Sequence, residues 1–221
     1  MKKLALLVSA ALVSTSAAAT GYYTDNKSDV KIKKNSDGNH VSVYQHSPGK
    51  YKGNSSKVLI SYGSDYNDVD VSQYGKKNRS GVYIYGNSDH NYVTVGQKGY
   101  RNNSKVNIGY YADYNDVDVY QKGAFNYSTV SVKAGDWNKA KVKQKGNWNY
   151  SDVDILGENA DHNKVKVKQY GDYSKSKVRI DDYYGGGTSY NKVHVRQSNN
   201  DYSNVYIANG SSYNHVYVSQ Y

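Results

Sequence analysis

The chain of 221 residues carries 27 tyrosines, no cysteine and a formal charge of +10. The absence of cysteine excludes disulfide cross-links. A mean hydropathy of −0.88, with hardly any Leu or Phe after residue 13, excludes a conventional globular core; the basic surplus favours contact with anionic polymers and says nothing about fold.

Residues 1–19 read as a secretory signal peptide. Lys2 and Lys3 form a charged head, Leu4 to Val13 an apolar run too short to span a bilayer, and Ala17 to Ala19 a small-residue cleavage site. Export is therefore expected, and removing two lysines leaves +8 on the mature chain. Residues 20–38 form a short N-terminal segment holding one half-repeat, Asn26-Ser28-Val30-Ile32.

Residues 39–221 are a repeat domain. The pattern Asn-x-Val-x-Val-x-Gln begins at Asn39, Asn67, Asn91, Asn115, Asn138, Asn163, Asn191 and Asn214, in steps of 23 to 28 residues. Its glutamines are Gln45, Gln73, Gln97, Gln121, Gln144, Gln169, Gln197 and Gln220, and Ala140 replaces one Val. A second pattern alternates with it, as in Asn78-Ser80-Val82-Ile84 and Asn126-Ser128-Val130-Val132, with weaker copies at Ser176 and Ser203. Both have period 2, which predicts strands. Gly75, Gly99, Gly123, Gly146 and Gly171 follow the glutamines by two residues and predict tight turns. Asn199 stands at that position in the seventh repeat and is expected to supply the same backbone conformation.

Each repeat thus reads as strand–turn–strand–turn. A single coil cannot bury its apolar face, but stacked coils bury one continuously, as two parallel in-register sheets. The expected fold is an all-β solenoid of about eight coils, roughly 38 Å long. Its interior would hold Val and Ile with columns of Asn, Gln and Ser, each stacked amide bonded to the one above and below.

The repeat spacing resembles that of the curlin family, Ser-x5-Gln-x-Gly-x-Gly-Asn-x-Ala-x3-Gln. Asn67-x5-Gln73-x-Gly75-x2-Asn78-x-Ser80-x3-Ile84 keeps it, and the match recurs over residues 39–221, ending in Gln220-Tyr221. Three departures stand out. Ile or Val replaces the second-strand Gln. Lys77, Arg101, Phe125 and Trp148 replace the second turn Gly. No Gly-rich targeting segment is evident in residues 20–38. The resemblance implies a secreted subunit of a curli-type functional amyloid, an extracellular fibre of the bacterial surface serving biofilm matrix and adhesion. Its implied partners are copies of itself, a related curlin subunit or nucleator, and outer-membrane secretion machinery.

No catalytic, cofactor or metal set is read from the sequence. His90 and His162 precede a repeat Asn, where Tyr66, Tyr114, Trp137, Tyr190 and Tyr213 stand in other repeats, so a stacked ring column is expected there. Gly185-Gly186-Gly187 lacks the Lys of a phosphate loop and reads as an expanded turn. Asp68 and Asp70 resemble a calcium loop, but lysines take the equivalent places at Lys139 and Lys141, as expected of outward positions; Asp65 is assigned to the preceding turn.

Outward residues of three successive repeats form a basic strip: Lys139, Lys141 and Lys143, then Lys164, Lys166 and Lys168, then Lys192, His194 and Arg196. Like charges about 5 Å apart in water repel by about 0.9 kcal/mol, less than the roughly 1.5–3 kcal/mol from burying one Val. The core therefore tolerates the strip, which is a candidate docking site for anionic matrix polymer. With no capping unit at either end, exposed edges are expected to template further strands. The rival readings are a surface nucleator of such fibres, a calcium-stabilised β-roll, which lacks its Gly-Gly-x-Gly-x-Asp series here, and an enzyme on a parallel β-helix.

Overall fold

The computed structural model describes residues 26–48, 53–182 and 185–221. The expected signal peptide lies outside these residues. All regular structure among them is strand.

One eight-stranded sheet holds, in order, β1 (Lys27–Lys33), β3 (Ser55–Ser61), β5 (Arg79–Tyr85), β7 (Asn103–Gly109), β9 (Tyr127–Lys133), β11 (Tyr150–Leu156), β13 (Lys175–Asp181) and β15 (Tyr202–Ala208). The other holds β2 (His40–His46), β4 (Asp68–Lys76), β6 (Tyr92–Tyr100), β8 (Asp116–Ala124), β10 (Lys139–Asn147), β12 (Lys164–Tyr170), β14 (Lys192–Gln197) and β16 (His215–Ser219). Each odd strand and the even strand after it make one coil, so the chain winds through eight coils of a β-solenoid. The opening half-repeat is the first strand of the stack: Val30 pairs with Val58 and Ile32 with Ile60.

Every strand pair is parallel and in register, Val on Val and Gln on Gln. The alternating pattern forces this, because a slip of one residue would turn the Val and Gln set outward. Val117 and Val119 from one sheet and Val130 and Val132 from the other are fully buried, and the second to seventh coils repeat that arrangement, while Val30, Ile32, Val216 and Val218 of the end coils are partly exposed. Ala140 occupies the same buried file between Val117 and Val165. Variation in step length falls at corners. The two 28-residue steps insert between β2 and β3 and between β13 and β14, the latter containing Gly185 to Gly187, and the register on either side is unchanged.

The turn glycines form a column of their own. Gly75, Gly99, Gly123, Gly146 and Gly171 have φ between 109° and 126°. A Cβ on Gly123 would run into the carbonyl oxygen of Gly146 in the next coil. Glycine is thus required twice, for its φ and for the close backbone approach. Asn199 departs from the expectation set out above. It does not adopt positive φ; its neighbour Asn200 does, at 57°. Asn199 acts through its side chain, accepting the Asp172 N–H at 2.8 Å, because β14 already ends at Gln197 and the chain turns earlier.

Gly185 also has positive φ, at 72°, but open space surrounds its missing Cβ. Gly185→Ala should cost about 1 kcal/mol for the left-handed backbone alone. Gly123→Ala, strained and overpacked, should cost roughly 3 kcal/mol or more, read as the difference between their denaturant midpoints.

Candidate functional site: side-chain ladders and open edges

A side chain repeated in every coil meets its own copy at one strand spacing, about 4.8 Å. A primary amide can span that gap because its donor and acceptor atoms lie on opposite sides of the group. From Gln45 to Gln220, each Gln Nε2 donates to the Oε1 of the next coil's Gln at 2.7–3.2 Å. The second amide hydrogen goes to a carbonyl at the start of the facing strand, as Gln121 does to Asn103 at 3.0 Å. The glutamines therefore tie coil to coil and sheet to sheet.

The asparagine file that opens the even strands runs the opposite way. Asn67 donates its backbone N–H and its Nδ2 to Asn39 Oδ1, at 2.8 and 3.1 Å, and Asn91, Asn115, Asn191 and Asn214 repeat this. In the fifth coil Asn138 keeps the backbone bond, but its Nδ2 is buried without a partner. A second asparagine file, Asn26 to Asn149, opens the odd strands.

Serine does not follow the expectation for the amides. Ser80 reaches Ser56 at 3.1 Å and Ser203 reaches Ser176 at 3.2 Å, but the buried hydroxyls of Ser104, Ser128 and Ser151 have no partner. A hydroxyl donates and accepts through one atom, so hydroxyls that keep the same position from coil to coil sit a full strand spacing apart, beyond hydrogen-bond reach, and only the two pairs that depart from that spacing bond.

At the corner before each even strand, seven rings form one column: Tyr66, His90, Tyr114, Trp137, His162, Tyr190 and Tyr213. Successive centroids lie 4.3–6.2 Å apart, with planes 1–24° from parallel. All seven have positive φ, 53–60°, and Gly38 fills the place in the first coil. The left-handed backbone costs roughly 1–2 kcal/mol per residue; each ring pair returns about 0.5–1.5 kcal/mol. The geometry also aims each ring residue's N–H at the preceding coil, as Tyr114 does at the Asp89 carbonyl, 3.0 Å away. The residues replacing the second turn Gly behave alike. Lys77, Arg101, Phe125, Trp148 and Tyr173 all have positive φ, and Phe125 stacks on Trp148 at 4.2 Å and 4°.

Sequence reasoning missed a file of carboxylates beside the rings. Asp37, Asp65, Asp89, Asp113, Asp136 and Asp161 stand one per coil. The Oδ1 of each, from Asp65 onward, accepts the backbone N–H of the aspartate one coil earlier at 2.7–2.8 Å. The signal was present as Asp-x-Asn in six repeats. Burial raises the Asp113 and Asp136 carboxyls above the usual range, and neighbouring aspartates of the file add to the rise. The backbone N–H bonds, and His90 and His162 respectively, oppose it.

On the outer face the structure divides the basic strip. Lys139 pairs with Asp116 and Lys141 with Asp118 of the preceding coil, and Lys143 lies over the Tyr120 ring at 5.9 Å. Lys164, Lys166 and Lys168 instead abut Lys192, His194 and Arg196 in register. Lys168 and, more weakly, Lys141 and Lys164 around Lys166 lower its pKa; burial, then Lys166, Lys168, Arg196 and Lys192, lower that of His194. A second basic feature was not read from the sequence. An open groove along the corner between β4 and β5 is lined by Lys27, Lys77, Arg79 and Arg101, with no carboxylate. The two acidic pairs, Asp68/Asp70 and Asp116/Asp118, stay apart, with Tyr92 and Thr94 between them. Asp68 and Asp70 do meet His40 of the first coil, their ligand atoms within 4.8 Å of one another, and His40 Nδ1 lies 2.8 Å from Asp68.

Among the described residues, both ends of the solenoid are open. At the N-terminal end, Gln45 Oε1 and the Asn39 N–H have no partner among the described residues. At the C-terminal end, Gln220 has one amide hydrogen to spare and Asn214 Oδ1 accepts nothing.

Three segments of the chain, residues 65–99, 112–146 and 135–171, match the curlin associated repeat. No curated protein and no solved structure matches the chain.

The carboxylate file predicts a pH dependence. The raised Asp113 and Asp136 keep protons in the folded chain that the unfolded chain releases. Their stabilisation is complete below the ordinary value of 3.8 and lost as pH rises through the folded values. The denaturant midpoint should rise as pH falls from 7 towards 4. Asp113→Asn with Asp136→Asn, which retains the accepting oxygens, should flatten that rise.

Proposed function

Because the chain belongs to the curlin-repeat family, we propose that it is the structural subunit of an exported curli-like amyloid fibre of the bacterial surface, serving biofilm matrix and adhesion. The observation that carries the reading is the complementarity of the two open ends. The N-terminal end offers an acceptor at Gln45 and a donor at Asn39; the C-terminal end offers a donor at Gln220 and an acceptor at Asn214. Stacking the C-terminal end of one copy on the N-terminal end of the next continues both ladders. Two N-terminal ends would oppose acceptor to acceptor in the glutamine file, and two C-terminal ends donor to donor.

The same stacking sets the joint in register. β16 meets β2 with Val216 on Val41, Val218 on Val43 and Gln220 on Gln45; β15 meets β1 with Ser203 on Ser28, Val205 on Val30 and Ile207 on Ile32. Unpaired parallel edges template strand addition, and the main-chain bonds are those already made between coils. Growth is thus the folding reaction continued between molecules, and the fibre is polar.

The cations of β12 and β14, with the groove at Lys27, Lys77, Arg79 and Arg101, support a second role for the assembled fibre, docking of anionic matrix polymer.

The mature chain should form thioflavin-positive fibres with a repeat near 4.8 Å along the axis. A stable soluble monomer at high concentration would sink the proposal. Gln220→Leu, at the exposed end, should leave the coil fold intact and slow elongation; unchanged elongation would remove the polar joint while leaving fibre formation standing. Deleting the gene should abolish fibres, whereas release of unpolymerised subunit from the deletion strain would reassign the chain as nucleator. Fibre binding to a short duplex DNA should weaken steeply with salt, and replacing Lys166, Lys168 and Lys192 by Ala should reduce the log–log slope by about 2–3. A salt-independent affinity would remove the docking role.

A further inference from the structure

Cysteine is absent, and tyrosine outnumbers every other aromatic, 27 against two Trp and one Phe. In-register coils turn a tyrosine repeated at the coil period into two touching phenols. Tyr190 and Tyr213 lie 5.0 Å apart between centroids, with planes 1° from parallel. Tyr127 and Tyr150 lie 5.4 Å apart at 8°. Tyr213, Tyr190 and Tyr127 are exposed to solvent. Two other pairs are as close but differently turned: Tyr85–Tyr110 at 5.3 Å and 82°, Tyr44–Tyr74 at 5.1 Å and 42°.

We propose that Tyr190–Tyr213 and Tyr127–Tyr150 are sites of oxidative phenol coupling, by which dityrosine links successive coils covalently. The oxidant is hydrogen peroxide acting through a haem peroxidase. Each phenol gives up one electron and one proton. The two phenoxyl radicals carry spin on the carbons ortho to oxygen, and a C–C bond forms between one such carbon of each ring. The two ring hydrogens at the new bond move to the oxygens as protons, restoring both aromatic systems. The pair loses two hydrogens in all, and these reduce one peroxide to two waters.

Orientation selects the pairs. Parallel rings on adjacent rungs hold equivalent ortho carbons against each other, whereas a perpendicular pair sets an edge against a face. Tyr150 has a further aid, since its hydroxyl donates to Asp152 Oδ2 at 3.4 Å. That carboxylate is placed to take the phenol proton as the electron leaves, so Asp152 is a positioning residue for the coupling. Each link closes a 23-residue loop, the role a disulfide would serve in a chain that had cysteine.

The test treats the folded full-length chain with haem peroxidase and hydrogen peroxide, then maps dityrosine by mass spectrometry of proteolytic peptides. Cross-links Tyr127–Tyr150 and Tyr190–Tyr213 should exceed Tyr85–Tyr110 by about tenfold, the advantage of orientation at equal distance. Tyr213→Phe keeps the ring and the stack, and should delete its own link while leaving Tyr127–Tyr150 at the wild-type yield. Asp152→Asn should lower only the Tyr127–Tyr150 yield. Coupling spread without preference for the stacked pairs, or found only between molecules, would overturn the proposal.

Discussion

The structure depends on one geometric fact: a primary amide spans one strand spacing, with its donor facing one neighbour and its acceptor the other. Seven buried glutamines and twelve buried asparagines would be costly in an ordinary core, because each unpaired amide carries a desolvation penalty. Repetition in register removes the penalty for nearly all of them. The serine file marks the boundary of the rule, since a hydroxyl uses a single atom for both roles and leaves Ser104, Ser128 and Ser151 unpartnered. The solenoid therefore needs both its aliphatic files, which supply the burial, and its amide files, which fix register and bind the two sheets.

The corners carry the strain this arrangement creates. Turning the chain within two or three residues requires left-handed backbone, and at the second turn position bulky side chains stand where glycine would be cheaper. Stacking answers the strain where the rings align: an isolated Trp at positive φ has no compensation, while Trp148 lies flat against Phe125. The aspartate file is the less comfortable companion of the ring column. Its carboxylates cannot bond one another, so each takes a backbone N–H one coil back, and their mutual repulsion is left to proton uptake and to His90 and His162.

Lysines and arginines keep to the outer faces, where residues change sign from coil to coil without disturbing the interior. Asp116 and Asp118 answer Lys139 and Lys141, while the next two coils leave their cations facing one another. Function then follows from what the stack leaves unfinished. Each ladder ends in a donor at one face and an acceptor at the other, so the same interactions that close a coil are available to the next molecule.

The inward files were legible in the sequence, because period 2 and a repeated Asn, Val and Gln are properties of the chain taken one strand at a time. So were the ring column and the turn glycines, each read from a recurring position. Tertiary structure alone decided what depends on the coil above. Asn199 looked like a glycine substitute, yet it works through its side chain because β14 ends early. Asp-x-Asn was present six times and carried no meaning until stacking placed each carboxylate over a backbone N–H. The physical reason is the same in each case. Periodicity along a strand is local, and the sequence determines it; contact between rungs is set 23 to 28 residues away, where only the closed coil brings the partners together.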